Sequence, residues 1–236
     1  MKQPLTSLVL MMVVFGFASC SFKQGESENS RNIGSSILQP TESRSGTTAA
    51  SIVSPTSDAG FVCVADFIPD IVVDLKYATV DNFTGQVIYN FQDVYLRYGT
   101  VKKLMLVQEV LRKEGLALKI WDGFRPPSAQ FTLWGICPDP RYVSDPNNGF
   151  SSHSRGNTVD ITLVDDQGKE LIMPTGFDDF SELADRNYND CSEEAAQNAR
   201  YLEELMVYYG FKGYYGEWWH YTDTESYEVE MDFLSE

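Results

Sequence analysis

Positive charge is scarce in this sequence. Its 236 residues include 18 Lys and Arg against 34 Asp and Glu, which gives a formal net charge of −16 at pH 7. Nucleic acids and anionic lipid surfaces are bound through basic patches. The composition therefore predicts no nucleic-acid partner and no electrostatic attachment to a membrane, and it leaves the substrate unidentified.

Histidine and cysteine are also rare. The chain has two histidines, His153 and His220, and four cysteines, none of which belongs to a Cys-x-x-Cys pair. Paired cysteines are the usual sign of a thiolate metal site, so these cysteines are poor ligand candidates. Three of them lie in the body of the chain: Cys63, Cys137 and Cys191. In an exported protein this odd number allows at most one disulfide, and a single bridge or buried thiols are the alternatives.

The one long apolar run lies near the N-terminus. Residues 8–15 are too few to span a bilayer as a mature helix. Lys2 precedes the run, and Phe17-Ala18-Ser19-Cys20 follows it. The segment resembles a bacterial lipoprotein signal, in which the cysteine is acylated and becomes the mature N-terminus. It predicts an exported, membrane-anchored lipoprotein of the bacterial cell envelope, with residues 1–20 as signal and Cys20 as the lipidated residue. The alternative is an ordinary secretory signal cleaved near Ala18.

Composition divides the rest of the chain in two. Residues 21–58 are rich in Ser, Thr and Gly, and Phe22 is their one aromatic residue. Such a stretch buries too little apolar surface to offset its ordering entropy, which predicts a flexible tether. Hydrophobic residues make up 43% of the whole chain and aromatic residues 13%, enough for one sizeable core. We therefore expect a single domain over residues 59–236.

Local patterns in that domain predict helices and strands in irregular alternation. Two segments have the apolar spacing of helices: residues 100–115 and 192–209. Three segments have the composition of strands: residues 116–121, 158–164 and 213–222. This order, without an internal repeat, indicates an α+β fold with a small, largely antiparallel sheet flanked by helices.

Four residues mark the expected helix ends. Thr100 is the expected N-cap of the first helix, and Asp190, with Glu193 three residues on, is expected to open the second. Gly115 and Gly210 are expected to end the two helices.

The two histidines fall in unusual segments, Ser-Ser-His153-Ser-Arg-Gly-Asn-Thr-Val-Asp160 and Gly-Glu217-Trp-Trp-His220-Tyr. An odd spacing of seven would point His153 and Asp160 to opposite faces of one straight strand. A turn at Arg-Gly-Asn between them would bring both side chains to one centre. Glu217 and His220 are three apart, and they need a kink or a single helical turn to face the same site.

A His, Asp and His set beside a free carboxylate has the chemistry of a catalytic zinc site. Three protein ligands leave the fourth position of zinc for water, and the metal lowers the pKa of that water. The expected ligands are His153, Asp160 and His220, which bind one Zn²⁺ per domain, and Glu217 is the expected proton shuttle. The alternative is that both histidines are ordinary structural residues.

At this point the sequence resembles a known family. Ser-x-His-x-x-Gly-x-x-x-Asp followed by Glu-x-Trp-His is similar to the paired signatures of zinc D-Ala-D-Ala peptidases with a Hedgehog-like fold, and of the VanX-type D-alanyl-D-alanine dipeptidases among them. Residues 77–85, Tyr-Ala-Thr-Val-Asp-Asn-Phe-Thr-Gly, and residues 121–126, Trp-Asp-Gly-Phe-Arg-Pro, also resemble that group. The resemblance runs from about residue 67 to the C-terminus. It implies a zinc dipeptidase that hydrolyses free D-Ala-D-Ala, with Glu217 as general base and acid.

The resemblance also implies roles for three further residues. Arg125 matches an arginine that stabilises the oxyanion of the tetrahedral intermediate, and the stiff Gly-Phe-Arg-Pro-Pro segment suits that role. Asp178 matches an acidic group for the substrate's ammonium, with the neighbouring Asp179 as the alternative, and Ser151 matches a residue near the substrate. Of the two tryptophans between Glu217 and His220, we expect one to line the site and one to lie in the core.

Two other functions fit the same motifs. One is a D,D-carboxypeptidase or L,D-endopeptidase that acts on cell-wall stem peptides. The other is a non-catalytic zinc-binding wall module. A binding module does not need an acid–base carboxylate, and the presence of Glu217 beside the ligand set favours an enzyme.

Overall fold

The computed structural model describes residues 57–231. The expected signal peptide, Cys20 and almost all of the expected tether lie outside these residues. Within the described part, no helix combines the length and the apolar character needed to cross a membrane.

A five-stranded sheet forms the centre of the fold, with strand order β2-β4-β5-β7-β6. Only β2 and β4 run parallel, and the other neighbours are antiparallel. Its strands are β2 Val72–Val73, β4 Leu116–Asp122, β5 Thr158–Asp165, β6 Phe211–Tyr214 and β7 Glu217–Asp223. The central strand β5 is buried from Thr158 to Val164, as expected for a strand covered on both faces.

Four helices and a second, two-stranded sheet complete the described domain. The helices are α1 Val64–Phe67, α2 Tyr98–Lys113, α3 Pro127–Ile136 and α4 Glu193–Tyr208. The small sheet pairs β1 Phe61–Cys63 with β3 Tyr95–Arg97 in antiparallel fashion. These elements confirm the predicted α+β class with a small, largely antiparallel sheet.

Helix α2 agrees with the sequence prediction except at its start. The helix begins at Tyr98 after Arg97, so the expected N-cap, Thr100, lies inside the first turn. Its hydroxyl instead donates to the buried carboxylate of Asp223, at 2.9 Å. A long-range partner has therefore replaced the local capping bond. Gly115 follows the helix with φ 72°, as expected of a residue that ends a helix.

Helix α4 is capped by a different residue from the one predicted. The N-cap is Ser192, whose side chain accepts a hydrogen bond from the backbone of Ala195. The prediction of Asp190 was wrong because serine two residues later satisfies the same orphan N–H group. Glu193 and Glu194 still occupy the first turn, where negative charge is favoured by the helix dipole.

The last predicted strand is in fact two strands. Residues 213–222 cover the end of β6, a turn at Tyr215-Gly216, and most of β7. The run of Tyr and Trp hid the turn, because aromatic residues are typical of strands on both sides of it.

The three cysteines of the described domain are free thiols: Cys63, Cys137 and Cys191. All three are partly exposed, so the expectation of a single bridge or of buried thiols was wrong.

Candidate active site

His153, Asp160 and His220 meet at one point beside the sheet. His153 Nε2 lies 3.3 Å from Asp160 Oδ2 and 3.4 Å from His220 Nδ1, and His220 Nδ1 lies 3.0 Å from Asp160 Oδ1. His153 and Asp160 are almost completely buried, and His220 is partly exposed. The cluster therefore presents one side to solvent, as a catalytic site must.

The turn expected between His153 and Asp160 exists. A single turn of 3₁₀ helix, Ser152–Arg155, carries His153 and ends at Gly156 with φ 73°. Strand β5 then begins at Thr158, and Asp160 pairs with His220 across the β5–β7 ladder. A left-handed glycine thus reverses the chain so that both side chains face the same point.

The strand β7 contains the kink that its two polar residues require. Its pairing with β6 shifts register between Gly213 and Tyr214, so Glu217 stands opposite Tyr214 while Tyr221 stands opposite Gly213. The extra residues in β7 form a bulge. Glu217 and His220 therefore face the same site, with Glu217 Oε2 at 3.4 Å from His220 Nδ1.

A hydrogen bond to the backbone fixes the orientation of the His153 imidazole. Its Nδ1 lies 2.8 Å from the backbone carbonyl of Gly123, to which it donates. That bond leaves Nε2 unprotonated and directed at Asp160 and His220. A hydrogen bond of this kind is the usual support for a metal-ligating histidine.

Interactions within the cluster favour the ionised forms of Asp160 and His153, against the effect of burial. Burial alone would raise the pKa of Asp160, but His153 and His220 outweigh burial and hold the pKa of that carboxyl well below its usual range. Burial opposes the charged form of His153, while Asp160 and Asp122 raise the pKa of its imidazole. A metal ion would compete with protons for these side chains, so its affinity is expected to fall in acid.

Glu217 lies beside the cluster without belonging to the closest set. Burial raises the pKa of its carboxyl, the positive charge of His220 opposes that rise, and the negative charge of Asp160 adds to it. A carboxyl group with a raised pKa exchanges protons more readily near neutral pH than an ordinary glutamate.

Arg125 reaches the cleft from the segment between β4 and α3. Its Nε and Nη2 both donate to Asp122 Oδ2, at 3.2 and 2.7 Å, and Asp122 is fully buried. Asp122 Oδ1 accepts from the hydroxyl of Tyr89 and from the backbone of Gly123. Burial lowers the pKa of the Arg125 guanidinium, but Asp122 outweighs it and keeps the group charged.

Asp178, rather than Asp179, faces the cleft. The hydroxyl of Tyr77 donates to Asp178 Oδ2 at 2.7 Å, and Asp178 has φ 52°. Burial raises the pKa of Asp178 to about 8; the hydrogen bond from Tyr77 opposes the rise, and the charge of Asp160 adds to it. The side chain of Asp179 instead accepts from the backbone of Ser181 in its own loop. The geometry favours Asp178 as the acidic group of the cleft.

Ser151 has a structural task as well as a place in the cleft. Its Oγ accepts from the backbone of His153 at 3.3 Å and so caps the 3₁₀ turn. Ser151 is 7% exposed and lines the cleft.

Some cleft residues gave no signal in the sequence. One wall of the cleft is the loop of residues 140–144, whose Tyr142 stacks on Phe180 with ring centroids 4.4 Å apart. Tyr214, on β6, contributes an aromatic edge near His220. Their pattern is that of ordinary loop and strand residues, and only the fold brings them to the site.

The two tryptophans of β7 do not divide between site and core. Trp218 is 0% exposed and Trp219 is 1% exposed, and neither lines the cleft. Trp218 packs against Trp121, and Trp219 against Phe177. The expectation that one of them lines the site was wrong, because the bulge turns both rings to the core.

The chain is similar to known proteins over most of its length. A family model described as D-ala-D-ala dipeptidase matches residues 57–234. A D-alanyl-D-alanine dipeptidase of Escherichia coli (strain K12) is 39% identical over 176 residues, which cover 74% of this chain and 91% of that protein. The chain belongs to the D-Ala-D-Ala dipeptidase family.

A second relative agrees with this family. A D-alanyl-D-alanine dipeptidase of Enterococcus faecium is 33% identical over 184 residues, covering 70% of this chain and 91% of that protein. A solved structure described as VanYB in complex with D-Alanine-D-Alanine aligns with TM-score 0.37 and 17% identity over 56% of this chain and 73% of that one. Structural similarity at that level does not bear on the function of this chain.

The ligand set of this family member fits a tetrahedral zinc ion. Zinc bonds of about 2.0–2.1 Å in tetrahedral geometry place neighbouring ligand atoms about 3.3 Å apart. Here the two histidine nitrogens lie 3.4 Å apart, and each lies near a different oxygen of Asp160, His220 at 3.0 Å from Oδ1 and His153 at 3.3 Å from Oδ2. One ligand atom from each residue can be chosen so that all three lie within 4.8 Å of one another. Asp160 Oδ1 is also buried without a hydrogen-bond partner among the described residues, a state that a coordinated ion would relieve.

The cleft of this peptidase is small. Its volume is about 220 Å³, below the range of about 300–1,000 Å³ typical of sites for drug-sized ligands. Its lining brings the metal cluster, Glu217, Arg125 and Asp178 into one space. A ligand of a few residues at most fits such a cleft.

Proposed function

We propose that this protein is a zinc-dependent dipeptidase that hydrolyses free D-alanyl-D-alanine to two D-alanines. The observation that carries the proposal is the meeting of His153, Asp160 and His220 beside Glu217, in a chain of the D-Ala-D-Ala dipeptidase family. Zinc held by three protein ligands acts as a Lewis acid and lowers the pKa of a water molecule at its open position.

Glu217 performs the proton transfers in this proposal. Its carboxylate takes a proton from the attacking water and returns it to the leaving amine of the second D-alanine. The side chain lies 3.4 Å from His220, so it reaches a water at the cluster without occupying a ligand position. Its raised pKa suits both directions of the transfer.

Arg125 stabilises negative charge on the carbonyl oxygen under attack. The guanidinium lines the same cleft as the metal cluster, and Asp122 holds it from the side. Preformed donors of this kind act without reorganisation during the reaction.

Asp178 binds the substrate's ammonium, and this contact restricts the length of the substrate. A free dipeptide carries an ammonium on one side of its peptide bond, and that charge stabilises the ionised form of Asp178, which burial disfavours. A blocked amine supplies no such charge, so the ionised form of Asp178 then has no cation beside it. An unpaired buried charge commonly costs about 1 to 3 kcal/mol or more, which is how a site rejects an analogue that lacks one group. The small cleft supports the same limit.

The direct test incubates the metal-loaded protein with D-Ala-D-Ala and measures released D-alanine. We expect turnover that a chelator abolishes and added zinc restores, and a zinc content of one per chain. His153→Ala and His220→Ala should lose most of the zinc and part of the stability that the ion confers. Equal zinc in the wild type and both variants would rule out the site.

The length of the substrate distinguishes the dipeptidase from a wall-cleaving enzyme. N-acetyl-D-Ala-D-Ala and a stem pentapeptide ending in D-Ala-D-Ala should be cleaved poorly. Asp178→Asn should weaken the reaction with the free dipeptide and narrow its advantage over the acetylated form, while the neighbouring Asp179→Asn should leave both near wild type. Equal turnover of pentapeptide and dipeptide would replace this proposal with a D,D-carboxypeptidase.

A further inference from the structure

Gln130 connects the arginine of the cleft to the loop that forms its wall. This residue lies on α3, is 0% exposed and is not part of the motifs that resemble the family. Its Oε1 accepts from Arg125 Nη1 at 3.0 Å, and its Nε2 donates to the backbone carbonyl of Ser144 at 2.7 Å. Both partners line the cleft.

The side chain amide is the one group that satisfies both neighbours. A guanidinium offers only donors and a carbonyl only acceptors, so the two partners fix which end of the amide faces which. A carboxylate would meet Arg125 but would place an oxygen against the carbonyl of Ser144. An apolar side chain of the same size would satisfy neither.

The bond from Gln130 restrains a movement that Asp122 leaves free. The two bonds from Arg125 to Asp122 end on a single oxygen, Oδ2. The guanidinium plane can therefore pivot about that atom. Gln130 binds Nη1, away from the Nε and Nη2 edge that faces Asp122, and the Tyr77 ring lies against the guanidinium with Cζ 5.2 Å from the ring centroid.

We infer that Gln130 is a positioning residue, which sets the direction of the Arg125 guanidinium and ties it to the loop of residues 140–144. This inference rests on the proposed dipeptidase function. Three of the five N–H groups of Arg125 are used by Asp122 and Gln130, which leaves two for the oxygen of a substrate. Releasing Nη1 lets those two groups swing away from the reacting carbonyl.

The test compares Gln130→Met with Gln130→Glu in the zinc-loaded protein. Gln130→Met loses both bonds, so kcat for D-Ala-D-Ala should fall about 10- to 100-fold, the usual effect of a displaced transition-state donor. Gln130→Glu keeps the bond to Arg125 and loses the bond to Ser144. Its kcat should lie closer to wild type than that of Gln130→Met, while KM should rise in both because the cleft wall is loosened. Zinc content should not change in either variant.

Gln108→Met is the matched control. Gln108 is a fully buried glutamine that also makes two hydrogen bonds, one to Asp70 and one from the backbone of Leu118, and it does not line the cleft. It should lower the melting temperature as much as Gln130→Met and leave kcat unchanged. A loss of kcat that merely follows melting temperature across the three variants would overturn the inference.

A second measurement does not depend on activity. The Nη1 protons of Arg125 should give slowly exchanging NMR signals in the wild type and in Gln130→Glu, and fast-exchanging signals in Gln130→Met. Unchanged signals in Gln130→Met, or equal kcat losses in Gln130→Met and Gln130→Glu, would show that Gln130 does not position Arg125. If the wild type fails to cleave D-Ala-D-Ala, the proposed function falls and the NMR comparison still decides the role of Gln130.

Discussion

At the scale of single residues, the proposed mechanism gives metal binding to one set of side chains and proton transfer to Glu217. His153, Asp160 and His220 lie within 4.8 Å of one another, whereas Glu217 approaches the set only through His220. Binding and proton transfer can therefore be separated by substitution.

Glu217→Gln should separate them. The amide keeps the size of the side chain but cannot carry the proton, so zinc should remain at one per chain while kcat falls about 10²- to 10⁴-fold. Steady-state kinetics and elemental analysis of the same sample check both parts. A variant with near-normal kcat would remove Glu217 from the mechanism.

Asp178 makes stability depend on pH. Burial raises the pKa of Asp178 to about 8 in the folded chain, whereas an exposed aspartate has a pKa of about 3.9, so the folded state binds more protons than the unfolded state between those pH values. Stability from this group is fully present below about pH 4 and is lost as pH rises through 8. Asp178→Asn removes the dependence. The melting temperature of the variant relative to that of the wild type should rise between pH 4 and pH 8 and stay constant above pH 8. Each kcal/mol of unfolding free energy corresponds to about 2 to 4 °C. A difference that does not vary with pH would contradict the raised pKa.

Some residues of the site could be identified from the sequence and others could not. His153, Asp160, Glu217 and His220 stood out because histidine is rare and each lies near a carboxylate or a histidine in the chain. Gln130 carried no such signal, since its partners Arg125 and Ser144 become neighbours only through the packing of α3. Which of Asp178 and Asp179 faces the cleft depends on the backbone of Asp178, which the sequence does not reveal.

At the scale of elements, the site depends on two local distortions, the left-handed Gly156 and the bulge of β7. The need for both was predictable from residue spacing, because strands alternate their faces. Their form was not. Helices α2 and α4 and strands β4 and β5 were predicted within a few residues, whereas helices α1 and α3 were not predicted. The turn between β6 and β7 was missed as well, and so were the N-caps of α2 and α4, where other groups compete for the capping bond.

Gly156→Ala tests the first distortion. A side chain at φ 73° costs about 1 to 2 kcal/mol, and here its Cβ would also collide with the ring of Phe61. We expect a loss of about 2 to 4 kcal/mol in unfolding free energy from strain and overpacking together, with weaker zinc binding because His153 lies three residues before.

Gly168→Ala provides the control for that substitution. Gly168 has φ 77°, and a Cβ there would meet no atom within 4 Å. It should show only the backbone cost and unchanged zinc affinity. Chemical denaturation and zinc titration of both variants make the comparison, and equal losses would mean that contact with Phe61 is unimportant.

At the scale of the whole molecule, we propose from the sequence that the enzyme works outside the cytoplasm, joined to its anchor by the segment of residues 21–58. The net charge of −16 gives the domain no electrostatic attraction to anionic lipid. Attachment to the envelope, which remains a proposal, would therefore depend on the acylated Cys20 alone.

Cys20→Ser tests the anchor. Fractionation of cells should find the wild type with the membrane and the variant in the soluble exported fraction, with equal activity on D-Ala-D-Ala. A single acyl chain gives only marginal binding, so firm attachment needs a second lipid signal at the same residue. Wild-type protein found entirely in the soluble fraction would replace the lipoprotein with a cleaved secretory signal.

Trp218 and Trp219 lie on β7 between Glu217 and His220, so their fluorescence can report on the arrangement of the site. Both indoles are buried in the aromatic core, while Glu217 and His220, on either side of them in sequence, face the cleft. A movement of the β7 backbone that withdraws the two polar side chains from the cluster would also shift the rings within the core, and we expect it to change their fluorescence emission. The integrity of the site can therefore be followed by intrinsic fluorescence, without a label and without substrate.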